Sequence, residues 1–355
     1  MGRLSVEEKL RYVLPKIQYS SNVNLMTLQL DLTDHCVCRC RGCEHWKWPT
    51  KTVLDKNAIF NNIIPFLDTN TTIVFSGGEP LLHPDVEEIT TVLHQHGHHL
   101  GIITSGLGRN DLSWSTISKN CDWVRFSIDG FTNENYALTR GVNLLDKWTK
   151  NLKMILKENE NSLCKTRLNV TIHEYNLDSF TDNLINFLSE NKLNIDIFFW
   201  LSRELISKLR QKNKVLDDKI TDELQILLKN MFGYRAEINT ENVLKHLTNK
   251  NNISYHSCFV PQLFGLVACD GNVFPCCYMY EPVFTMDKQQ TQFVIGNINE
   301  ENLHEIYTGN RYYDIVNKFR ECDKKFPQCE FCDRFDHINK YLNEIKYSAG
   351  KSVFI

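Results

Sequence analysis

The sequence predicts an α/β fold built on a parallel sheet. Short β-rich runs alternate with helical stretches from Leu25 to about Leu201, and each gap between runs holds one helix. That alternation is the mark of βαβ units, which pair their strands in parallel through right-handed crossovers. In chain order the strands are expected at Met26–Leu32, Thr72–Phe75, Leu100–Thr104, Trp123–Ile128, Arg167–Ile172 and Ile195–Trp200. The helices are expected at Lys56–Leu67, Val86–Gln95, Leu144–Glu158 and Phe180–Glu190, with a shorter one over Asp111–Ser118. Six such units suit an incomplete barrel or an open doubly wound sheet. In both, chemistry gathers at the carboxyl ends of the strands.

The organisation around this core is expected to be a helical extension over 1–24, the core over 25–203 and a helical bridge over 204–255. A cysteine-rich lobe follows over 256–336, and then a tail over 337–355. At 355 residues, against roughly 150 per domain, two domains are expected. With 42% hydrophobic residues, 23% charged and a net charge of -3, there is no basic excess for nucleic acid. No apolar run reaches the roughly 18 residues that cross a bilayer, and the segment before Tyr19 mixes charge with apolar residues, unlike a signal peptide. A cytoplasmic location without membrane or nucleic-acid partners is the expectation. The 13 cysteines are then the anomaly, because in a reducing compartment clustered cysteines bind metal or do redox chemistry.

The first cluster follows the first strand. Cys36, Cys40 and Cys43 have the spacing C-x3-C-x2-C on a loop at that strand's carboxyl end. Three thiolates there can hold three irons of a four-iron cluster and leave the fourth open to a ligand. A zinc knuckle using three of the four loop cysteines with His35 or His45 is the plainer alternative. After the second strand comes Ser76-Gly77-Gly78-Glu79-Pro80, and the fourth strand ends in Ser127-Ile128-Asp129-Gly130.

This cysteine loop resembles the motif of the radical S-adenosylmethionine (SAM) superfamily, and Gly77-Gly78-Glu79 resembles that family's Gly-Gly-Glu motif. The resemblance implies a partial (β/α)6 TIM-like barrel with SAM chelated on the open iron. The glycines would let backbone approach SAM, Glu79 would pair with its ammonium, and Ser127 and Asp129 would reach its ribose. Arg140-Gly141 resembles another recurrent pair, although a surface arginine is the plainer reading. The family usually has an aromatic residue before the third cysteine. Here it is Gly42, so Trp46 or His45 would have to supply that contact. Cys38 is surplus to the motif.

A second set lies in the carboxyl region. Cys258 and Cys276 have 17 residues between them, Cys329 and Cys332 form a C-x2-C pair, and Asp270-Gly271-Asn272 reads as a hairpin turn delivering Cys276. Ile295–Ile298 precedes a further helix. This arrangement resembles the SPASM domain, most closely its shortened "twitch" form, which implies one auxiliary 4Fe–4S cluster closed by Cys258, Cys276, Cys329 and Cys332. Cys269, Cys277 and Cys322 are alternative ligands, and a four-cysteine zinc site is an alternative use.

The family likeness implies an enzyme that cleaves SAM reductively to a 5′-deoxyadenosyl radical and abstracts a hydrogen atom from a substrate C–H bond. The auxiliary cluster would transfer electrons, and an external donor such as flavodoxin or ferredoxin would supply them. The substrate is expected to be a small polar metabolite such as a sugar or aminocyclitol, because few residues precede the first strand to form a leader-binding domain. A ribosomally made peptide is the alternative substrate, and a non-catalytic metal-stabilised scaffold the alternative class. No residue is identified as a catalytic base or hydrogen-atom donor. His94, His96, His98 and His99 are expected as exposed residues on the amino-terminal face, and Cys121 and Cys164 as buried structural thiols.

Overall fold

A computed structural model of the chain describes residues 23–43, 45–47, 51–173, 175–176, 180–202, 257–280, 292–320 and 338–343. The expected amino-terminal helix, the bridge over 204–255 and most of the tail lie outside the described residues.

A nine-stranded sheet runs in the order β6-β5-β4-β3-β2-β1-β7-β8-β9. Its first six strands are β1 (Thr27–Thr33), β2 (Thr72–Gly77), β3 (His99–Thr104), β4 (Trp123–Ile128), β5 (Lys165–Ile172) and β6 (Asp196–Leu201). Each pairs in parallel with the next in sequence. A doubly wound sheet reverses its order at a switch point, whereas a barrel adds every strand on the same side. Among β1–β6 no reversal occurs, so the winding is that of a partial barrel.

Alternation decides what each face does. Leu28, Leu30, Ile73, Phe75, Leu100, Ile102, Val124, Phe126, Leu168 and Val170 are all buried on the helix side. The opposite, inner face is polar, with Gln29, Asp31, Ser76, Ser127, Asn169 and Thr171 in the matching positions. The crossover helices α1 (Val86–Gln95), α2 (Trp114–Asn120), α3 (Asn133–Arg140), α4 (Leu145–Asn159) and α5 (Phe180–Glu190) cover the apolar side. α1 buries Val86, Ile89, Thr90 and Leu93, the one-face spacing of an amphipathic helix. On α4, Trp148 stands edge-on to Phe126 at 5.8 Å.

Two expectations are corrected here. Residues 56–67 are not one regular helix: an α turn at Lys56–Ala58 passes to a π turn at Ile59–Ile63 and a 3-10 turn at Ile64–Phe66. Pro65 has no N–H and its ring crowds the carbonyl four residues back, so the regular ladder fails there. The histidine tract is also not uniformly exposed. His94, His96 and His99 face solvent, but His98 is buried and bonded to the Thr71 backbone.

Burial holds the His98 imidazole below its ordinary value of 6.5. The unfolded chain therefore binds more protons below that value, and this group's contribution to stability is lost as pH falls through it. A His98→Gln variant is expected to show a flatter decline of urea midpoint between about pH 7 and about pH 5 than the parent chain. Equal slopes would mean that the group carries no linkage.

The carboxyl segment joins the same sheet rather than standing apart from it. After α6 (Val260–Leu263), β7 (Phe264–Val267) pairs in parallel with β1, with Leu30 opposite Val267. The hairpin expected at Asp270-Gly271-Asn272 is present, β7 turning antiparallel into β8 (Asn272–Phe274), which pairs with β9 (Gly296–Asn297). The helix expected after Ile298 is α7 (Leu303–Thr308). Its Asn302–Glu305 capping box satisfies two end donors, and α8 (Asn310–Arg320) follows.

Candidate active site and its cysteine loop

The cysteine loop leaves the carboxyl end of β1 and is clasped from two sides. On one side the β2 loop docks on it: Gly78 N donates to Thr33 O at 2.7 Å and Glu79 N to His35 O at 2.8 Å. The approach leaves no room for side chains. A Cβ on Gly77, whose φ is +105°, would lie 2.6 Å from Thr33 O, and one on Gly78 would lie 2.6 Å from both Asp34 O and His35 O. On the other side the end of α3 pairs with it like a strand: Arg39 N donates to Arg140 O at 2.8 Å and Arg41 N to Thr139 O at 3.0 Å.

The loop consequently alternates. Cys38 is buried and Cys40 half-buried, while Arg39 and Arg41 are exposed between and beyond them. Hydrogen bonding with Cys36, together with burial, pushes the Cys38 thiol up to about 12, and hydrogen bonding with Cys38, together with burial, raises that of Cys40 as well. Trp46 closes the loop by donating its indole N–H to Cys40 O at 3.2 Å, and the His45 ring lies 6.1 Å from that of Tyr280. Gly42 takes a φ of +78°, a region that disfavours an aromatic side chain, which gives a backbone reason for the departure from the family pattern.

The other expected site residues are placed as follows. The Glu79 carboxylate is fully buried and accepts four hydrogen bonds from the chain. Its Oε1 receives Thr104 Oγ1 at 2.6 Å and Leu81 N at 3.0 Å, and its Oε2 receives Ser105 N and Ser105 Oγ, both at 2.5 Å. Burial raises its pKa and these donors lower it. So placed, it ties the β2 loop to the end of β3. Ser127 lies on the inner face, its carbonyl accepting from Trp148 Nε1 at 3.2 Å. The Asp129 carboxylate accepts from Thr171 N at 2.9 Å and pairs with Arg140 Nε at 2.8 Å.

Arg140 overturns the surface reading. It is only 7% exposed, and while Nε meets Asp129, Nη1 lies 3.5 Å from Cys40 Sγ. One turn before it on α3, Tyr136 is wholly buried, its hydroxyl has no hydrogen-bond partner, and its phenol is pushed upward by burial, with Arg140, Cys38 and Cys40 as electrostatic neighbours. Sequence reasoning missed Tyr136 because α3 is short and polar. Its signal was the Thr132 cap, which accepts from Asn135 N.

These residues fit an anionic iron–sulfur cluster. Three soft sulfur donors share one clamped loop, a buried guanidinium touches one of them, an unused buried hydroxyl lies alongside, and Gly77 and Gly78 hold the β2 loop directly against that loop's backbone. Cys36, Cys40 and Cys43 would hold the cluster, with Gly77 and Gly78 beside its SAM. Among the described residues, no three His, Cys, Asp or Glu side chains gather as ligands of a single ion.

In the carboxyl segment Cys276 is buried, and half-buried Cys258 accepts Asn339 Nδ2 at 3.4 Å. Cys269 follows β7 two residues after Val267, which pairs with Leu30, and burial pushes its thiol up to about 12, with Asp34, Asp270 and Asp31 adding to the rise. Cys329, Cys332 and Cys322 lie outside the described residues.

The fold and this loop define an iron–sulfur enzyme of the radical SAM class, and comparison with known families agrees. The Radical SAM superfamily model matches residues 30–184 and that of the SPASM iron–sulfur cluster-binding domain matches residues 258–334. The chain belongs to the radical SAM enzymes that carry a SPASM domain. Its cofactors are a 4Fe–4S cluster with SAM, and iron–sulfur in the SPASM segment.

Among relatives, the chain is 24% identical over 330 residues to the tungsten-containing aldehyde ferredoxin oxidoreductase cofactor-modifying protein of Pyrococcus furiosus, covering 87% of each. It is 38% identical to GTP 3′,8-cyclase 1 of Mycobacterium tuberculosis over 139 residues, 36% of this chain and 39% of that protein. Among solved structures it resembles anSMEcpe with bound AdoMet, with a TM-score of 0.57 and 16% identity, covering 87% of each chain. Streptococcus suis SuiB bound to S-adenosylmethionine gives a TM-score of 0.60 at 14% identity, covering 96% of this chain and 81% of that one. No helix among the described residues is long and apolar enough to cross a membrane.

Proposed function

We propose that this enzyme abstracts a hydrogen atom from a C–H bond of a small polar substrate held against the inner face of the barrel, an oxidoreductase-type reaction in the cytoplasm. The observation that carries the reading is the double clasp on the cysteine loop, by the Gly77-Gly78 cradle and by the Asp129–Arg140 pair that reaches Cys40. When bound, the cluster and SAM supply a 5′-deoxyadenosyl radical as the hydrogen-abstracting species.

The chain's own groups do the rest. Cys36, Cys40 and Cys43 hold the cluster, and Arg140 offsets negative charge at Cys40. Gly77 and Gly78 bring backbone against SAM, and Ser127 presents a hydroxyl from the end of β4. The carboxylates of Glu79 and Asp129 brace this frame, through Ser105 and through Arg140, rather than reaching SAM directly. Cys258, Cys276, Cys329 and Cys332 are the proposed ligands of one auxiliary 4Fe–4S cluster. The inner face carries a network of hydrogen-bonding groups: Ser76 Oγ donates to Asp31 at 2.5 Å and Gln29 Nε2 to the same oxygen at 2.9 Å. That lining supports a sugar-like or aminocyclitol substrate. A peptide is the second reading, favoured by the likeness of fold to SuiB, which has been solved bound to its precursor peptide SuiA.

Anaerobic reconstitution is expected to give about eight irons per chain and dithionite-driven 5′-deoxyadenosine. Each of Cys36→Ala, Cys40→Ala and Cys43→Ala is expected to abolish the product while the chain still folds. Zinc in place of iron, with SAM intact, would sink the reading. Deuterated sugars and peptides then separate the substrates, because the true one transfers its label to 5′-deoxyadenosine.

A further inference from the structure

The alternation that turns the loop sulfurs inward turns its cations outward. Arg39 and Arg41 flank Cys40 in sequence and are both exposed, and Lys47 is exposed on the same loop. Neither arginine has a carboxylate partner among the described residues, and each is stiffened from below by an aromatic ring. The Arg41 guanidinium lies 4.4 Å from the Tyr175 ring centroid and that of Arg39 lies 5.8 Å from Trp46, which also carries Lys47 at 5.7 Å. Leu138 is 38% exposed beside Thr139, whose carbonyl holds Arg41 N, and Tyr175 is 36% exposed. A mixed apolar and cationic patch therefore sits on the outside of the loop whose inside faces the cluster site. The whole chain carries a net charge of -3, so this patch runs against the overall sign.

We propose that Arg39, Arg41 and Lys47 form the docking surface for an acidic one-electron carrier protein, a reduced flavodoxin or ferredoxin, which delivers its electron through the cysteine loop. The inference rests on the reading of Cys36, Cys40 and Cys43 as cluster ligands. The balance is one electron: the carrier is oxidised by one and the cluster on the loop is reduced by one. Electron transfer weakens steeply with distance, so the carrier must dock where the cluster lies closest to solvent. A patch that is cationic there steers an acidic partner to that spot.

The test is stopped-flow reduction of the reconstituted enzyme by reduced flavodoxin, compared with reduction by dithionite, in the parent chain and in the double variant Arg39→Glu/Arg41→Glu. The parent rate with flavodoxin is expected to fall as salt rises, and the charge reversal to slow that rate by about tenfold or more at low salt. Iron content, the cluster absorption spectrum and dithionite-driven 5′-deoxyadenosine are expected to be unchanged in the variant. A remote reversal on α4, Lys150→Glu/Lys157→Glu, is expected to leave both reductants' rates alone. A flavodoxin rate insensitive to salt in the parent overturns the docking surface without any variant. So does a reversal that leaves that rate unchanged or slows both reductants alike. Failure of the parent chain to bind iron or cleave SAM with dithionite would instead overturn the reading on which the inference rests.

Discussion

Replacing Arg140 with methionine is expected to cost about 3–5 kcal/mol of stability, because it strands the buried Asp129 carboxylate without its cation. Asp129 is 4% exposed, and among the described residues its carboxylate keeps only the Thr171 amide as a partner after the change. The same substitution removes the guanidinium that reaches Cys40 Sγ, so iron retention after reconstitution is expected to fall with stability. The two effects separate in a double variant. Asp129→Asn combined with Arg140→Met removes the stranded charge and is expected to recover much of the denaturant midpoint, but not the iron content, because nothing replaces the donor to Cys40. Urea titration of the apo chain and iron analysis of the reconstituted one read the two quantities independently. A single variant within about 1 kcal/mol of the parent would mean that the pair is not the brace described.

Gly78→Ala is expected to have the second large effect. The added methyl would sit 2.6 Å from two backbone carbonyl oxygens, Asp34 O and His35 O, and neither can rotate away as a side-chain end would. Relief requires the β2 loop to lift off the cysteine loop, which breaks the Gly78 N–Thr33 O and Glu79 N–His35 O bonds. Overpacking of this kind costs about 1–3 kcal/mol. The larger consequence is functional, since the two partners being separated are the loops proposed to bind SAM and to carry the cluster ligands. SAM affinity by equilibrium dialysis and cluster absorbance are expected to fall together. Gly42→Ala is the contrast. Its Cβ meets nothing within 4 Å, so only the positive φ counts against it, about 1–2 kcal/mol, and cluster and SAM binding are expected to survive.

Much of this fold was legible along the chain. The six expected strands are present with shifts of one or two residues at their ends, because period-2 alternation and β-branched runs state both the element and its buried face. α1 and α5 match their expected bounds for the corresponding reason at helical period. The cysteine spacing, the Gly-Gly-Glu run and the Asp270-Gly271 hairpin were equally local signals. Less legible were the features that depend on neighbours distant in sequence. α3 carries too few apolar residues to show a face, since part of what it buries is charged or polar, namely Arg140 and Thr139. Arginine is almost always a surface residue, and only an ion pair with a residue from another element justifies burying one. Glu79 and Asp129 were readable as polar groups at strand ends, but not as groups whose acceptors are taken up by Thr104, Ser105, Thr171 and Arg140.

By itself the sequence determined the βαβ order, the partition of each strand into an apolar and a polar face, and three cysteines on the loop after the first strand. These are properties of short windows, set by backbone period and residue chemistry. Only the tertiary structure decided the rest. It set the winding to one side that makes a partial barrel, and it joined β7 to β1 so that the carboxyl segment continues the sheet. It turned Arg140 inward to Cys40 while Arg39 and Arg41 face out. The physical reason is that a buried charge or a close backbone approach is stable only with its partner in place, and those partners come from other elements: Asp129 and Cys40 for Arg140, and Thr33 for Gly78.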